Sequence, residues 1–148
     1  MGSDAQIIRK KGYDEVLAKN PDVKVVFASS ANWVTDEALK QTENWLQTGK
    51  GINAVVAQND AMAIGAAKAV ADAQLGDKIA VTGVDATPEG LTAIEAGQLL
   101  GSVSQDTVGM GVLSTQTMVK VINKEQVQPE YKTTPKWVTK ANVAEFKK

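Results

Sequence analysis

The chain has 148 residues, is 43% hydrophobic, and carries 16 basic against 17 acidic side chains for a net charge of -1. That length supports one compact domain, and the charge balance provides no electrostatic footprint for nucleic acid or an anionic membrane surface. With neither cysteine nor histidine, disulfide frameworks, thiolate nucleophiles, zinc sites and most triad chemistry lose their usual side chains, and no metal or cofactor is implied.

From residue 4 onward, helical periodicity alternates with short β-branched runs, the sequence form of an α/β domain built on a mainly parallel sheet. Ile8, Tyr13, Val16 and Leu17 outline an opening helix that stops near Asn20-Pro21, where proline cannot continue the ladder. A strand is expected at Val23 to Ala28. Val34, Ala38, Leu39, Thr42, Trp45 and Leu46 then recur at helical spacing, with Asp36 and Glu37 in the favourable first turn and Gly49 or Gly51 near the stop. A second strand is expected at Ile52 to Ala57, followed by an alanine-rich helix from Asp60 to Ala73 whose small side chains allow a close approach to a sheet. Asp60 is placed as its N-cap.

Ile79 to Val84 reads as the third strand, and Thr87-Pro88 has the form of an N-cap followed by proline at the first helical position. The short helix through Leu91 and Ile94 ends at Gly97, and Leu99 to Val103 forms a fourth strand. Val108, Val112, Thr115, Met118, Val119 and Ile122 mark a longer amphipathic helix. The tail carries Pro129 and Pro135 and one more strand near Lys136 to Val138. No apolar run approaches the roughly 20 residues of a spanning helix, and the amino terminus lacks the basic and apolar regions of a signal peptide.

In an open parallel sheet, ligands bind outside the carboxyl ends of the strands. Here those ends are polar: Ser29 and Ser30, then Gln58, Asn59 and Asp60, then Asp85, then Gln105 and Asp106. Any one of these residues is explained as a cap or turn residue. Asn59, Asp85 and Gln105 together on one sheet edge also supply donors and acceptors without surplus charge, which suits hydroxyl groups. Trp33, four residues after Ser29, fits either a flat face that stacks on a sugar ring or a staple on the helix that follows. Trp45 belongs to the apolar stripe of its helix. Catalysis is disfavoured: Asp85 and Asp106 show nothing that would separate the pKa values of an acid/base pair, and no Gly-rich phosphate loop is present.

The stretches AVVAQNDAMAIGA (54–66), VTGVDATPEG (81–90) and SVSQD (102–106) resemble the second lobe of ribose- and xylose-binding proteins of ATP-driven sugar importers, within the type I periplasmic binding protein superfamily. GSDAQIIRKKGY (2–13) is similar to the first loop and helix of that lobe, and NWVTDEAL (32–39) to the xylose-binding relatives. The resemblance implies a three-layer α/β sandwich, a flavodoxin-like lobe lacking its first, central strand. Residues 1–124 would form the carboxy-terminal lobe, and 125–148 a tail that crosses to or packs near the other lobe. It implies a periplasmic setting, a sugar ligand held by Trp33, Asn59, Asp85 and Gln105, a facing amino-terminal lobe and a membrane permease as partners, and no enzymatic activity. The ribose-type lobe also uses an arginine of its first helix. The equivalent position here is Ile7, with Arg9 two residues on, and Asp4 or Gln6 would substitute.

The absent strand would lie between the strands at Val23 and Ile52, leaving two rows of backbone groups unpaired. The expectation is that the missing strand is present in another chain, is replaced by swapping between copies in a homodimer, or was lost by cleavage after folding. A second function class stays open, the effector domain of a sugar-responsive transcription repressor, which shares this fold.

Overall fold

The computed structural model describes residues 2–147. Helix α1 (Asp4–Leu17) opens the chain, α2 is Thr35–Gln47, and strand β1 (Ala54–Val56) precedes α3 (Asp60–Asp72). Strand β2 (Ala80–Asp85), α4 (Pro88–Glu95), β3 (Gly101–Ser104), α5 (Thr107–Ile122) and β4 (Lys136–Val138) complete the order, with a final 3-10 turn at Val143–Glu145. The sheet runs β1-β2-β3-β4, the first three parallel and β4 antiparallel to β3. The fold is therefore an open α/β sheet, mainly parallel, as the alternation of periods predicts.

One face of the sheet is covered, and the other is largely open, with Val84 its buried exception. Val55, Val81, Ser102 and Val138 point to the covered face, where they meet Ala63, Ala66, Val70, Leu91 and Ile94 of α3 and α4. The alanine run of α3 serves this approach: Ala63, Ala66, Ala67 and Ala69 are all buried. Behind it, α2 lies so close that a methyl group on Gly65 would overlap the Thr35 carbonyl oxygen. The tail returns to the same core through Val138 and Val143, with Phe146 packed against it. On the opposite face, Val56 and Trp137 are exposed.

The apolar stripes of α1 and α5 are formed but uncovered. Neither helix has a buried residue, and Ile8, Val16, Val108, Val112, Met118, Val119 and Ile122 are all exposed. Residues 23–28 differ from the strand predicted there. They are irregular, and apart from the Val23 N–H, which donates to Asn20 C=O at 3.0 Å, none of their backbone groups is paired among the described residues. The β propensity of Val23, Val25 and Val26 has no neighbour to act on.

Strand β1 shows the complementary deficit. Ala80 N–H donates to Asn53 C=O (3.0 Å) and Ala57 N–H to Thr82 C=O (2.9 Å). In a parallel ladder the alternate residues point their groups the other way, so Ala54 and Val56 present N–H and C=O along an edge that no described strand pairs.

Candidate functional site

The carboxyl ends of β1, β2 and β3 assemble a polar cluster. Among the described residues, five of the seven non-glycine residues with positive φ lie at this edge: Asn32 (48°), Trp33 (65°), Asp85 (115°), Ala86 (53°) and Asp106 (45°). Each such conformation costs free energy and persists only where the surroundings impose it, which is why such residues gather at functional sites.

Asn59 is the N-cap of α3: its Oδ1 accepts from Met62 N–H at 2.9 Å, and its Nδ2 donates to the Trp33 carbonyl at 3.3 Å. The capping role expected of Asp60 thus belongs to Asn59. The physical reason is that Asp60, already helical, turns its carboxylate inward and is fully buried. There Oδ2 accepts from Thr87 N–H (2.8 Å) and Thr87 Oγ1 (3.3 Å), and Oδ1 accepts from Ser102 Oγ (2.5 Å). Burial pushes the Asp60 carboxyl above the usual carboxylate range. The Ser102 and Thr87 bonds oppose that shift, and the nearby Asp85 charge adds to it.

Asp85 sits at the end of β2 and accepts a hydrogen bond from Gln105 Nε2. Its Oδ1 is 3.7 Å from the Arg9 guanidinium. Arg9 also donates to the Gln58 carbonyl at 2.5 Å and lies over the Trp33 ring, 5.9 Å from its centroid. Trp33 keeps 37% of its surface exposed, so its ring is available rather than packed away. Trp45, by contrast, stacks on Phe27 with centroids 5.5 Å apart. The Gln58 Oε1 is buried without a hydrogen-bond partner among the described residues, an acceptor left open beside the carbonyl that Arg9 engages.

The structure therefore brings together Trp33, Asn59, Asp85 and Gln105. Of the other two expected residues, Asp4 is exposed in the first turn of α1 and Gln6 is half-buried, and neither side chain makes a hydrogen bond to the cluster among the described residues. Arg9, two residues from the position at which the resemblance expects a first-helix arginine, is the residue that joins this cluster. The cluster offers one carboxylate, one guanidinium, two amides and an indole face. That set offers donors, acceptors and a flat apolar face, a chemistry suited to hydroxyl groups on a ring.

The periplasmic binding protein domain family matches residues 1–126 of the chain. The chain is 36% identical over 148 residues to the xylitol-binding protein of Mycolicibacterium smegmatis, covering 97% of this chain and 41% of that protein. It is 35% identical over 121 residues to the D-allose-binding periplasmic protein of Escherichia coli, covering 82% of this chain and 39% of that protein. Among solved structures, a Bacillus halodurans solute-binding protein of an ABC transporter with bound myo-inositol superposes with a TM-score of 0.91 at 36% identity, over 99% of this chain and 50% of that one. One from Actinobacillus succinogenes with bound D-allose gives 0.88 at 34% identity, over 93% and 49%. The chain thus spans about half the length of the relatives it matches, and over that span it belongs to the periplasmic binding protein domain family.

Proposed function

We propose that this chain is the carboxy-terminal lobe of the solute-binding component of an ATP-driven importer, and that it holds half of a site for a pentose, hexose or related polyol. The observation that carries this reading is the convergence of Arg9, Trp33, Asn59, Asp85 and Gln105 on one strand edge. Trp33 stacks on the sugar ring, Asp85 accepts from a hydroxyl pair, and Asn59 and Gln105 each give and take a hydrogen bond. Arg9 orients the Asp85 carboxylate and the indole. Relatives named for xylitol and D-allose, and neighbours holding myo-inositol and D-allose, support a polyhydroxy ligand. No covalent step belongs to this reading.

A pocket covers most of a small ligand's surface, so a facing lobe supplies the other half and closes over the sugar. In its family setting the protein works in the periplasm and hands its ligand to a membrane permease. A thermal-shift screen of sugars and polyols on the intact protein tests the reading. A ligand present at about 100 times its Kd adds about 2.7 kcal/mol of stability. At least one compound of this class is expected to raise the melting temperature, and a panel with no responder would overturn the proposal.

The same reading assigns the gap between residues 23–28 and β1 to a further strand, parallel to β1, contributed by the rest of the intact protein. Two unpaired backbone rows and the bare stripes of α1 and α5 support it. The isolated chain is therefore expected to self-associate in light scattering, and a stable, folded monomer with the slot unfilled would contradict this.

A further inference from the structure

Asp60 lies outside the cluster, yet its bonds end on the two residues that follow Asp85. Thr87 N–H donates directly to Asp60 Oδ2 at 2.8 Å. Ala86 N–H donates to Ser102 Oγ at 3.1 Å, and that hydroxyl in turn donates to Asp60 Oδ1 at 2.5 Å. One buried carboxylate thus holds two consecutive backbone donors of the turn, one directly and one through a relay.

The turn needs holding. Asp85 and Ala86 have φ of 115° and 53°, conformations that carry a cost for residues with a Cβ. The surroundings are shaped for the tie: a Cβ on Gly83 or Gly90 would overlap the Asp60 carboxylate oxygens. Thr87 Oγ1, which donates to Asp60 Oδ2 at 3.3 Å, also accepts from Gly90 N–H at 3.0 Å as the N-cap of α4. The carboxylate therefore sets where β2 ends and α4 begins, and with it the direction in which the Asp85 side chain leaves the strand.

We infer that Asp60 is a positioning residue for sugar binding, a buried carboxylate clamp that fixes the turn after β2 so that Asp85 faces Arg9, Gln105 and the ligand. The inference rests on the reading of Asp85 as a sugar acceptor. An amide at position 60 keeps the size of the carboxylate but offers one acceptor oxygen and turns an NH₂ toward donors.

The test uses Asp60→Asn and Asp85→Asn, singly and together, in the intact protein, with two readouts. In ligand-free protein, amide hydrogen exchange at Ala86 and Thr87 is expected to accelerate about tenfold or more in Asp60→Asn while the core amide of Val81 keeps its protection. With the best ligand of the screen, Asp60→Asn is expected to weaken binding about tenfold, after which Asp85→Asn costs less than about twofold more, because two residues acting as one unit are not additive. A merely structural Asp60 gives independent losses that multiply, and that result overturns the inference. So does unchanged exchange at Ala86 and Thr87. If Asp60→Asn does not fold, Ser102→Ala cuts only the relay to Ala86, and the same two criteria apply at Ala86 alone. If no sugar binds the wild type, the sugar-binding reading falls, whereas the exchange experiment still decides whether Asp60 holds the turn.

Discussion

Replacing Asp85 with alanine is expected to weaken sugar binding by the intact protein about 10- to 100-fold. Asp85 is the one carboxylate of the strand edge that both Arg9 and Gln105 address. A hydrogen bond to a charged acceptor contributes about 1.5–3 kcal/mol, and each 1.4 kcal/mol is a factor of ten in affinity. The substitution also leaves the Arg9 guanidinium without its nearest carboxylate, so the site loses an acceptor and gains an uncompensated donor. Because Asp85 is partly exposed and its carboxylate takes no part in core packing, the melting temperature without ligand should change little. Trp33→Ala, which removes the ring face, should cost about tenfold by the same measurement. If both variants keep wild-type affinity, these residues are not the site.

The largest expected effect on stability lies elsewhere, at Gly65. This residue sits inside α3 where α2 crosses it, and an added Cβ would overlap Thr35 O and come within 3.1 Å of Leu39 N. Both are backbone atoms of the facing helix, which cannot rotate away as a side chain would. Gly65→Ala must therefore move α2, and overpacking of this kind costs about 1–3 kcal/mol or more. For a chain of this size that corresponds to roughly 3–10 °C in melting temperature. Gly111→Ala in α5 is the control: nothing lies within 4 Å of its added Cβ, and helix propensity alone predicts a gain of up to about 1 kcal/mol. Equal melting temperatures for the two variants would show that the α2–α3 contact is looser than this packing implies.

The sequence made the element order legible because each helix and strand carries its own period. Thr87-Pro88 announces α4 with its cap and first residue, and the structure has Thr87 accepting from Gly90 N–H as a cap should. Lys136 to Val138 was equally readable as a strand. Local pattern failed where structure depends on neighbours distant in sequence. Val23 to Ala28 has the composition of a strand and no strand to pair with among the described residues. The stripes of α1 and α5 predict burial that nothing among the described residues supplies.

Within the candidate site, Asn59, Asp85, Gln105 and Trp33 were legible as polar or aromatic residues just past strand ends. Their convergence follows from the parallel topology. The exchange of roles between Asn59 and Asp60 was not legible, since both are good caps by type, and only the buried donors of Ser102 and Thr87, 42 and 27 residues away in sequence, draw Asp60 inward. That Arg9, offset by two residues from the expected arginine position, reaches the site was not legible for a similar reason. On the helix it is one of three consecutive basic residues, and only the folded chain separates it from Lys10 and Lys11, which pair instead with Asp14 and Glu15 at the surface.

The central claim is that this chain supplies the acceptor and the ring face of a sugar site, and isothermal titration calorimetry on the intact protein tests it most directly. Titration with a panel of pentoses, hexoses and polyols is expected to give one saturable site per chain for at least one of them, abolished in the double variant Trp33→Ala, Asp85→Ala while the protein remains folded. Saturable binding that survives both substitutions unchanged, or a folded protein that binds no member of the panel, would contradict the account.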